Sequence, residues 1–413
     1  MNNLIISKKF YKIILPNKNN IDFQKFSPST YLKFKKCPKQ WLLENILFDE
    51  FNNTKYPSLI FPQSLIGSAI HKTIEDLIFI MKDYQCNKVN DINWSKVKSS
   101  IISLKELFIK NAQEEILKYL NNPRNKRSKE DYEIYIDDNI QNIVFKIKTM
   151  ASKLKLDNTK VNSKKQSTKL NFELINANLS EFKISSDKLN FFGYIDFLKI
   201  NNEIIEIYDF KTGLEKENDE KQILLYSLIW KFDEVHNPSS RNASKLTLAY
   251  SNNDKEIQPL ENTQLNKKAD ELITEISNLK NIINNKSFEA YPSIDNCKYC
   301  NVKQLCNEHW NFIDENKLDL SNINDNSVNS NIEVSNLSKE DDRWTATVSH
   351  SDIFKKNQNI IIENRGEFSL NRDILNSSKE VRILNFNYYF DNEQQIEQNK
   401  IVLNKFTEVF QFK

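Results

Sequence analysis

Glycine is almost absent from this chain. Only four of the 413 residues are glycine, at positions 67, 193, 213 and 366, whereas about 7% is usual. The closest two, Gly193 and Gly213, are separated by 20 positions. A dinucleotide-binding G-x-G-x-x-G loop, a Walker A loop and a G-x-S-x-G nucleophile elbow each need at least two glycines within six positions. The sequence therefore excludes these loops, and with them an ATP-driven motor of the usual kind.

The net charge of the chain does not indicate which kind of molecule it binds. The chain has 58 basic and 56 acidic residues and a net charge of +2, so a nucleic-acid-binding groove would require local segregation of charge. No run of 18 apolar residues occurs, and residues 1–20 lack the long apolar region and cleavage site of a signal peptide. We therefore expect a protein of the reducing cytoplasm with no membrane partner.

The length allows two or three domains, and hydrophobic periodicity predicts a mixed α/β (α+β) chain. Helices are predicted over 27–48, 65–81, 97–120, 130–155, 217–234 and 262–285, and strands over 169–176, 180–186, 190–200, 203–211 and 244–250. Residues 314–342 are rich in Asp, Asn and Ser, and further strands are predicted beyond them. The predicted organisation is a tail (1–23), a main domain (24–312), a linker (313–342) and a small β-rich domain (343–413).

Two predicted strands between Gly193 and Gly213 carry the strongest catalytic signal. Asn201-Asn202 is a plausible two-residue turn, which pairs Ile200 with Glu203 and sets Asp196 diagonal to Asp209. Side chains alternate between the faces of a strand, so Asp196, Asp209 and Lys211 are expected on one face. Two carboxylates and a lysine there could hold a hard cation.

A D-x-K triplet alone has little value, because a chain with this many acids and bases contains several such triplets by chance. A solvated surface pair is therefore the alternative interpretation. The surroundings favour function, because Asp209 ends the apolar run Ile204–Tyr208 and acids are rarely buried without a partner.

Six segments, in this order, resemble the RecB-like nucleases of the PD-(D/E)XK superfamily, in the iron–sulfur subgroup that includes AddB-type and CRISPR-adaptation nucleases. They are FSPSTYLKFKKCPKQW (26–41), GSAIH (67–71), GYIDFL (193–198), YDFKTG (208–213), QILLY (222–226) and CKYCNVKQLC (297–306). The resemblance covers roughly residues 24–310 and implies a restriction-endonuclease-like core with a helical N-terminal insertion.

The resemblance also implies roles for individual residues. His71 would be a metal ligand on a helix, and Asp196 and Asp209 would hold Mg²⁺ or Mn²⁺. Lys211 would orient the attacking water and stabilise charge on the phosphate. Gln222 and Tyr226, four residues apart on a helix, would line the site near DNA. Each has a plainer alternative, namely a packed histidine or an ordinary helix face.

Four of the five cysteines form a split pattern. Cys37 is followed after 260 residues by Cys297-x2-Cys300-x5-Cys306. An isolated zinc module would keep its ligands closer together, and the resemblance implies a 4Fe-4S cluster held by these four thiolates. Zinc remains the alternative, with His309 available as a substitute ligand. Cys86 lies outside the pattern.

The first functional hypothesis is a divalent-metal-dependent DNA nuclease, expected to act as an exonuclease on single strands or DNA ends in recombination, repair or foreign-DNA processing. Its partners would be DNA and a separate helicase subunit, since the chain has no ATP-binding loop of its own. The C-terminal β domain could be an OB-like barrel that holds single strands, with aromatics such as Tyr388, Tyr389 and Phe390. The alternatives are a non-catalytic DNA-binding scaffold of a helicase–nuclease complex and a zinc-stabilised interaction protein.

Overall fold

The computed structural model describes residues 8–14, 21, 23–122, 124–125, 129–156, 162–165, 172–318, 327–364, 369–389 and 399–412. Within these ranges the chain forms two large sheets, a short ribbon of β2 (Leu47–Phe48) and β3 (Thr54–Lys55), and helices that cover the first sheet. None of the described helices combines the length and the hydropathy needed to cross a lipid bilayer. Gly366, Pro123 and Phe390 lie outside the described residues.

The predicted helices are present, but two of them are divided. The helix predicted over 27–48 is Pro28–Lys36 and Pro38–Asn45, and the one predicted over 97–120 is Trp94–Ile101 and Leu104–Leu120. Pro28, Pro38 and Pro62 occupy the first turns of the first three helices, where the missing N–H costs no hydrogen bond. Ser27 caps the first one by accepting the N–H of Thr30. The helices are α1 (Pro28–Lys36), α2 (Pro38–Asn45), α3 (Pro62–Asp83), α4 (Trp94–Ile101), α5 (Leu104–Leu120), α6 (Lys129–Lys153), α7 (Glu217–Lys231), α8 (Asn262–Asn285), α9 (Ile294–Lys298), α10 (Asn307–Glu315) and α11 (Ser369–Ser377).

The first sheet has six strands that follow chain order. They are β4 (Asn162–Lys165), β5 (Phe172–Ser186), β6 (Phe191–Asn201), β7 (Ile204–Lys211), β8 (Lys245–Tyr250) and β9 (Asp254–Ile257). The β7–β8 pair is parallel and joined through α7, whereas the other neighbours are antiparallel. One apolar core includes α1, α2, α7 and α8, and a second packs α3 to α6 against Phe197, Phe210 and Ala249. The sheet is thus enclosed by two helical layers. The two strands predicted over 169–176 and 180–186 are, from Phe172 on, one long strand.

The second sheet closes on itself. Its strands are β1 (Lys12–Ile13), β10 (Ser327–Glu340), β11 (Arg343–Ser351), β12 (Asn359–Asn364), β13 (Val381–Tyr389), β14 (Lys400–Leu403) and β15 (Glu408–Phe412), in the order β1-β15-β13-β10-β11-β12-β14. An additional pairing of β13 with β14 joins five of these strands into a ring. The β12–β14 pair is parallel, and α11 lies between β12 and β13 in the chain. The C-terminal region is therefore a small barrel with one helix.

Two sequence expectations at the domain borders are wrong. Residues 327–340, predicted as part of a linker, form β10 at the centre of the second sheet. Their polar composition hides an alternation in which Ser330, Ile332 and Val334 all face the core. The predicted tail contributes Lys12–Ile13, which pairs in parallel with β15. Residues 319–326 of the predicted linker lie outside the described residues.

A buried ion pair joins the barrel to the helical insertion. The guanidinium of Arg124, just after α5, donates to both carboxylate oxygens of Glu408 on β15, at 2.9 and 2.7 Å. Both residues are at most 2% exposed. Arg124 also donates to the carbonyl oxygens of Pro57 and Asn301. Buried apolar residues of both sheets belong to one continuous core, so the barrel packs firmly on the main domain.

Candidate active site

The two acids of the β6–β7 hairpin lie opposite each other. The ladder pairs Ile200 with Ile205 and Phe197 with Tyr208, and its next step brings Asp196 opposite Asp209. The predicted diagonal arrangement is wrong, because the turn forms at Asn202 and Glu203, with Asn202 in the left-handed region (φ 52°). This register pairs the two fully buried isoleucines, a favourable cross-strand contact.

Asp196 and Asp209 are largely shielded from solvent by the surrounding side chains. Asp209 is 3% exposed, and Asp196 Oδ2 accepts the backbone N–H of Phe210 at 2.6 Å. Burial, followed by the charge of Glu181, raises the pKa of Asp196 to about 7. Burial and the charge of Asp196 raise the pKa of Asp209 to about 7. A cation bound beside carboxylates whose pKa values are raised in this way would stabilise their charged forms.

Lys211 connects the acids to α7. Its Nζ lies 2.7 Å from Asp209 Oδ2 and donates to Gln222 Oε1 at 3.0 Å. Gln222 Nε2 in turn donates to the hydroxyl of Tyr226 at 3.2 Å. Burial opposes the charge on Lys211, but the Asp209 carboxylate outweighs it and the pKa of Lys211 is raised. The ammonium therefore stays charged beside the acids, and the predicted residues of α7 join the same hydrogen-bonded chain.

His71 reaches the acids from the opposite side. It lies on α3, and its Nδ1 is 3.6 Å from Asp196 Oδ2, which is too long for a direct hydrogen bond. Its ring packs edge-on against Phe210. Burial lowers the pKa of His71, so the ring is neutral at pH 7 and a nitrogen lone pair can bind a metal. The structure thus brings all five predicted catalytic residues and His71 to one place.

The sequence interpretation missed Glu181. This residue lies on β5 and adopts φ 46°, a conformation uncommon for a residue with a long side chain. One ligand atom from each of His71, Glu181 and Asp196 lies within 4.8 Å of the other two. The β5–β6 ladder sets Glu181 level with Asp196, since Ser180 pairs with Phe197 and Phe182 with Ile195. Glu181 lies within the strand predicted over 180–186, and only the register of that strand on β6 could have revealed that it stands beside Asp196.

Two glycines permit close packing beside the site. A Cβ at Gly193 would lie 2.8 Å from Cε1 of Tyr226, and a Cβ at Gly67 would lie 3.1 Å from Oγ1 of Thr212. Gly67 therefore lets α3 approach the end of β7, and Gly193 makes room for Tyr226. Gly213 has open space around it and no positive φ, so its backbone conformation does not require glycine.

These residues line a cleft of about 900 Å³ between α3, the sheet and the start of α7. Tyr194, 46% exposed, forms part of its wall. Lys183 on β5 is exposed and pairs across the strands with Tyr194. The ring of Phe192 packs edge-on against that of Tyr194, with centroids 6.5 Å apart. An aromatic and basic surface therefore extends along the sheet from the acids.

The four patterned cysteines meet around a second, small cavity. Cys37 lies between α1 and α2, Cys297 lies in α9, and Cys300 and Cys306 lie in the segment between α9 and α10; all four line this cavity. Burial raises the pKa of the Cys300 and Cys306 thiols to about 12, and no disulfide joins these cysteines. The fold thus brings Cys37 close to three cysteines that lie at least 260 residues further along the sequence.

His309 lines the same cavity. It is 3% exposed, and neither ring nitrogen has a hydrogen-bond partner among the described residues. Cys86 lies elsewhere, in the core of the helical insertion.

A comparison with protein-family models matches residues 25–307 to the PD-(D/E)XK nuclease superfamily, which is about two thirds of the chain. A comparison with curated proteins gave no match. The matched range contains both sides of the cleft and all four patterned cysteines.

Proposed function

The chain belongs to the PD-(D/E)XK nuclease superfamily, and we propose that it is a divalent-metal-dependent deoxyribonuclease that acts on single strands or DNA ends. The observation that carries this proposal is the convergence of buried Asp196 and Asp209 with Lys211 in one open cleft. A non-catalytic scaffold would not need two costly buried carboxylates beside a lysine, so the nuclease is favoured.

Each side chain has a role that follows from its position. Asp196, Asp209 and His71 offer oxygen and nitrogen ligands that suit Mg²⁺ or Mn²⁺. Such an ion, when bound, polarises a phosphate oxygen and lowers the pKa of water. Lys211 brings a fixed positive charge to where the phosphate becomes more negative. Gln222 holds the Lys211 ammonium in place, and Tyr226 holds Gln222.

The surface beside the acids supports a single-stranded substrate. Tyr194 can stack a base and Lys183, its cross-strand neighbour, can meet a phosphate. Stacking needs an unpaired base, because bases in a duplex are already stacked on one another. The barrel offers weaker support, since its β10–β11 turn carries Asp341 and Asp342, and acids repel a phosphate backbone.

We further propose that Cys37, Cys297, Cys300 and Cys306 hold a 4Fe-4S cluster. The support for this proposal is that all four cysteines line one cavity although Cys37 is 260 residues from Cys297 in the sequence. Four thiolates are the usual ligands of such a cluster, and zinc is the alternative. The role of the cluster would be structural, because it would tie α1 and α2 to the segment before α10. Four reduced cysteines suit a protein of the cytoplasm, which is the location we propose. The proposed helicase partner would be a separate chain.

Cleavage of end-labelled DNA with Mg²⁺ or Mn²⁺ tests the activity. The variants Asp209→Asn and Lys211→Met should each lose at least about 100-fold in rate. Lys199→Met, on the same hairpin but away from the cleft, should cleave like the wild type. Undiminished cleavage by both site variants would refute the assignment.

The substrate and the cluster have their own tests. Tyr194→Ala should weaken binding of a single-stranded oligonucleotide about 5-fold or more and leave duplex binding unchanged, with exposed Phe79→Ala as the control. Equal losses on both DNAs would contradict base stacking. Anaerobically purified protein should contain about four irons, and a sample that contains zinc instead would reject the cluster.

A further inference from the structure

Two buried polar side chains face the cysteine cavity, the small cavity lined by the four patterned cysteines. Lys303 is 9% exposed and His309 is 3% exposed, and both line this cavity. Neither ring nitrogen of His309 has a hydrogen-bond partner among the described residues. The same part of the chain gives the ammonium of Lys303 no hydrogen bond and no ion pair. Buried polar groups without partners are costly, so the two side chains indicate a polar occupant of the cavity.

The carboxylates that act on Lys303 through space are engaged elsewhere. They belong to Asp352 and Glu408. Asp352 Oδ1 accepts the backbone N–H of Asn331 at 3.2 Å, and both oxygens of Glu408 accept from the guanidinium of Arg124. The positive charge of Lys303 therefore lies beside the cysteines without a counter-charge in contact with it.

His309 offers a hydrogen-bond donor to the same cavity. The charged groups that act on its ring are Lys303 and Arg382, and both are positive. Arg382 itself donates to Glu333 and to the carbonyl oxygen of Gln304. An imidazole has at least one N–H donor in either protonation state, and these neighbours bring positive charge rather than an acceptor. The ring therefore needs an acceptor that an occupied cavity would supply.

A metal centre held by four cysteines matches these needs, because it is anionic and rich in sulfur acceptors. Four thiolates bring more negative charge than an iron–sulfur core or a zinc ion offsets, and burial makes that charge costly. One neighbour adds to it, since Glu308 Oε2 lies 3.4 Å from Cys306 Sγ. The ammonium of Lys39 offsets Glu308 at 2.8 Å. The remaining negative charge requires the positive charge and the N–H donor of the cavity wall.

We propose that Lys303 and His309 are positioning residues for the cluster, and that together they raise its reduction potential. His309 would donate a ring N–H to one of its sulfurs, and Lys303 would offset its negative charge. The potential of an iron–sulfur cluster depends on its net charge and on hydrogen bonds to its sulfurs. Both contacts favour the reduced form, because it carries one more negative charge. This inference rests on the proposed 4Fe-4S cluster and adds control of its potential to its structural role.

A spectroscopic redox titration of anaerobically purified full-length protein, without DNA, tests the inference. Lys303→Met and His309→Leu should each disfavour reduction at least about 10-fold, which lowers the potential by about 59 mV for one electron. Lys303→Arg keeps the charge and His309→Gln keeps an N–H donor, so both should stay near the wild-type potential. The matched control is Lys298→Met, since Lys298 is exposed and adjoins Cys297 without lining the cavity; its potential should be unchanged.

Iron-containing Lys303→Met and His309→Leu proteins with the wild-type potential would overturn the inference and leave the cluster standing. Wild-type protein without iron would reject the cluster, and the inference with it. If Lys303→Met or His309→Leu loses its iron, the conservative variants decide. Iron retained by Lys303→Arg and His309→Gln would support the roles of charge and N–H donation, whereas iron lost from these variants as well would overturn them.

Discussion

At the scale of single residues, the acids of the cleft oppose the stability of the metal-free fold. Asp196 is largely buried, with 11% of its side chain exposed, and its pKa is raised to about 7, whereas an aspartate in an unfolded chain has a pKa of about 3.9. The folded protein therefore binds this proton more tightly than the unfolded one. By linkage, the contribution of Asp196 to the free energy of unfolding falls as pH rises from about 4 to about 7 and stays low above that. A bound cation would reverse this effect.

Replacing Asp196 by Asn should stabilise the metal-free protein while abolishing cleavage. The amide oxygen can still accept the N–H of Phe210, and the buried charge is gone. In EDTA, Tm should rise by at least about 2 °C at pH 8 and by less at pH 5, where the wild-type carboxyl is already protonated. Thermal unfolding of Asp187→Asn, an exposed acid beside Lys25, provides the control and should show no gain at pH 8. An equal gain at both pH values would contradict the buried-charge explanation.

At the scale of elements, α7 packs closely against β6 because Gly193 has no side chain at the point of contact. Gly193 faces the ring of Tyr226 so closely that a Cβ would overlap it at 2.8 Å. Tyr226 supports Gln222, and Gln222 accepts from Lys211. The position of α7 on the sheet thus controls where the ammonium of Lys211 lies.

Gly193→Ala should therefore displace Tyr226, with a loss of about 1–3 kcal/mol in the free energy of unfolding and a fall in cleavage rate. Gly213→Ala is the matched control on the same hairpin. Its added methyl meets nothing within 4 Å and its φ is not positive, so its stability should be unchanged or up to about 1 kcal/mol higher. Urea unfolding of the two variants measures the contrast, and similar losses in both would count against the close contact with Tyr226.

The elements also show how far the sequence could lead. The start of α1 was predictable because Ser27 and Pro28 act locally, whereas the separate start of α2 at Pro38 was not predicted. The shared location of Asp196, Asp209 and Lys211 was predictable because side chains alternate between the two faces of a strand. This alternation placed them on one face although the predicted register was wrong. The register itself depends on Ile200 meeting Ile205 across the hairpin, and β10 depends on barrel partners more than 40 residues away. Cross-strand pairings, near or far in sequence, also place Glu181 beside Asp196, and they leave little trace in local composition.

At the scale of the whole molecule, the barrel packs on the segment that carries the cysteines. Arg382 on β13 donates to the carbonyl of Gln304 at 2.6 Å and to Asn307 at 2.8 Å, on either side of Cys306. Arg124 connects Glu408 of the barrel to the carbonyl of Asn301. The barrel and the cysteine cavity therefore support each other, and neither is expected to keep its geometry alone.

Glu408→Gln should destabilise the whole protein, because it leaves the guanidinium of Arg124 buried without its counter-charge. The expected loss is about 3–5 kcal/mol in the free energy of unfolding, measured by denaturant titration. Lys405→Met removes the exposed pair of Lys405 with Asp131, which also joins the barrel to the helical insertion. That control should cost no more than about 1 kcal/mol. A comparable loss in both variants would mean that burial of the Arg124 pair is not what matters.

The pairing of β1 with β15 has a consequence for the order of events during synthesis. Lys12 and Ile13 pair with Gln411 and Phe412, so β1 can take its final place only after β15, which is made later, has left the ribosome. The nuclease sheet between them can form first. The growing chain must therefore keep its β1 segment out of other strand pairings until β15 has been made, and we expect that strand to attach after the nuclease sheet has formed.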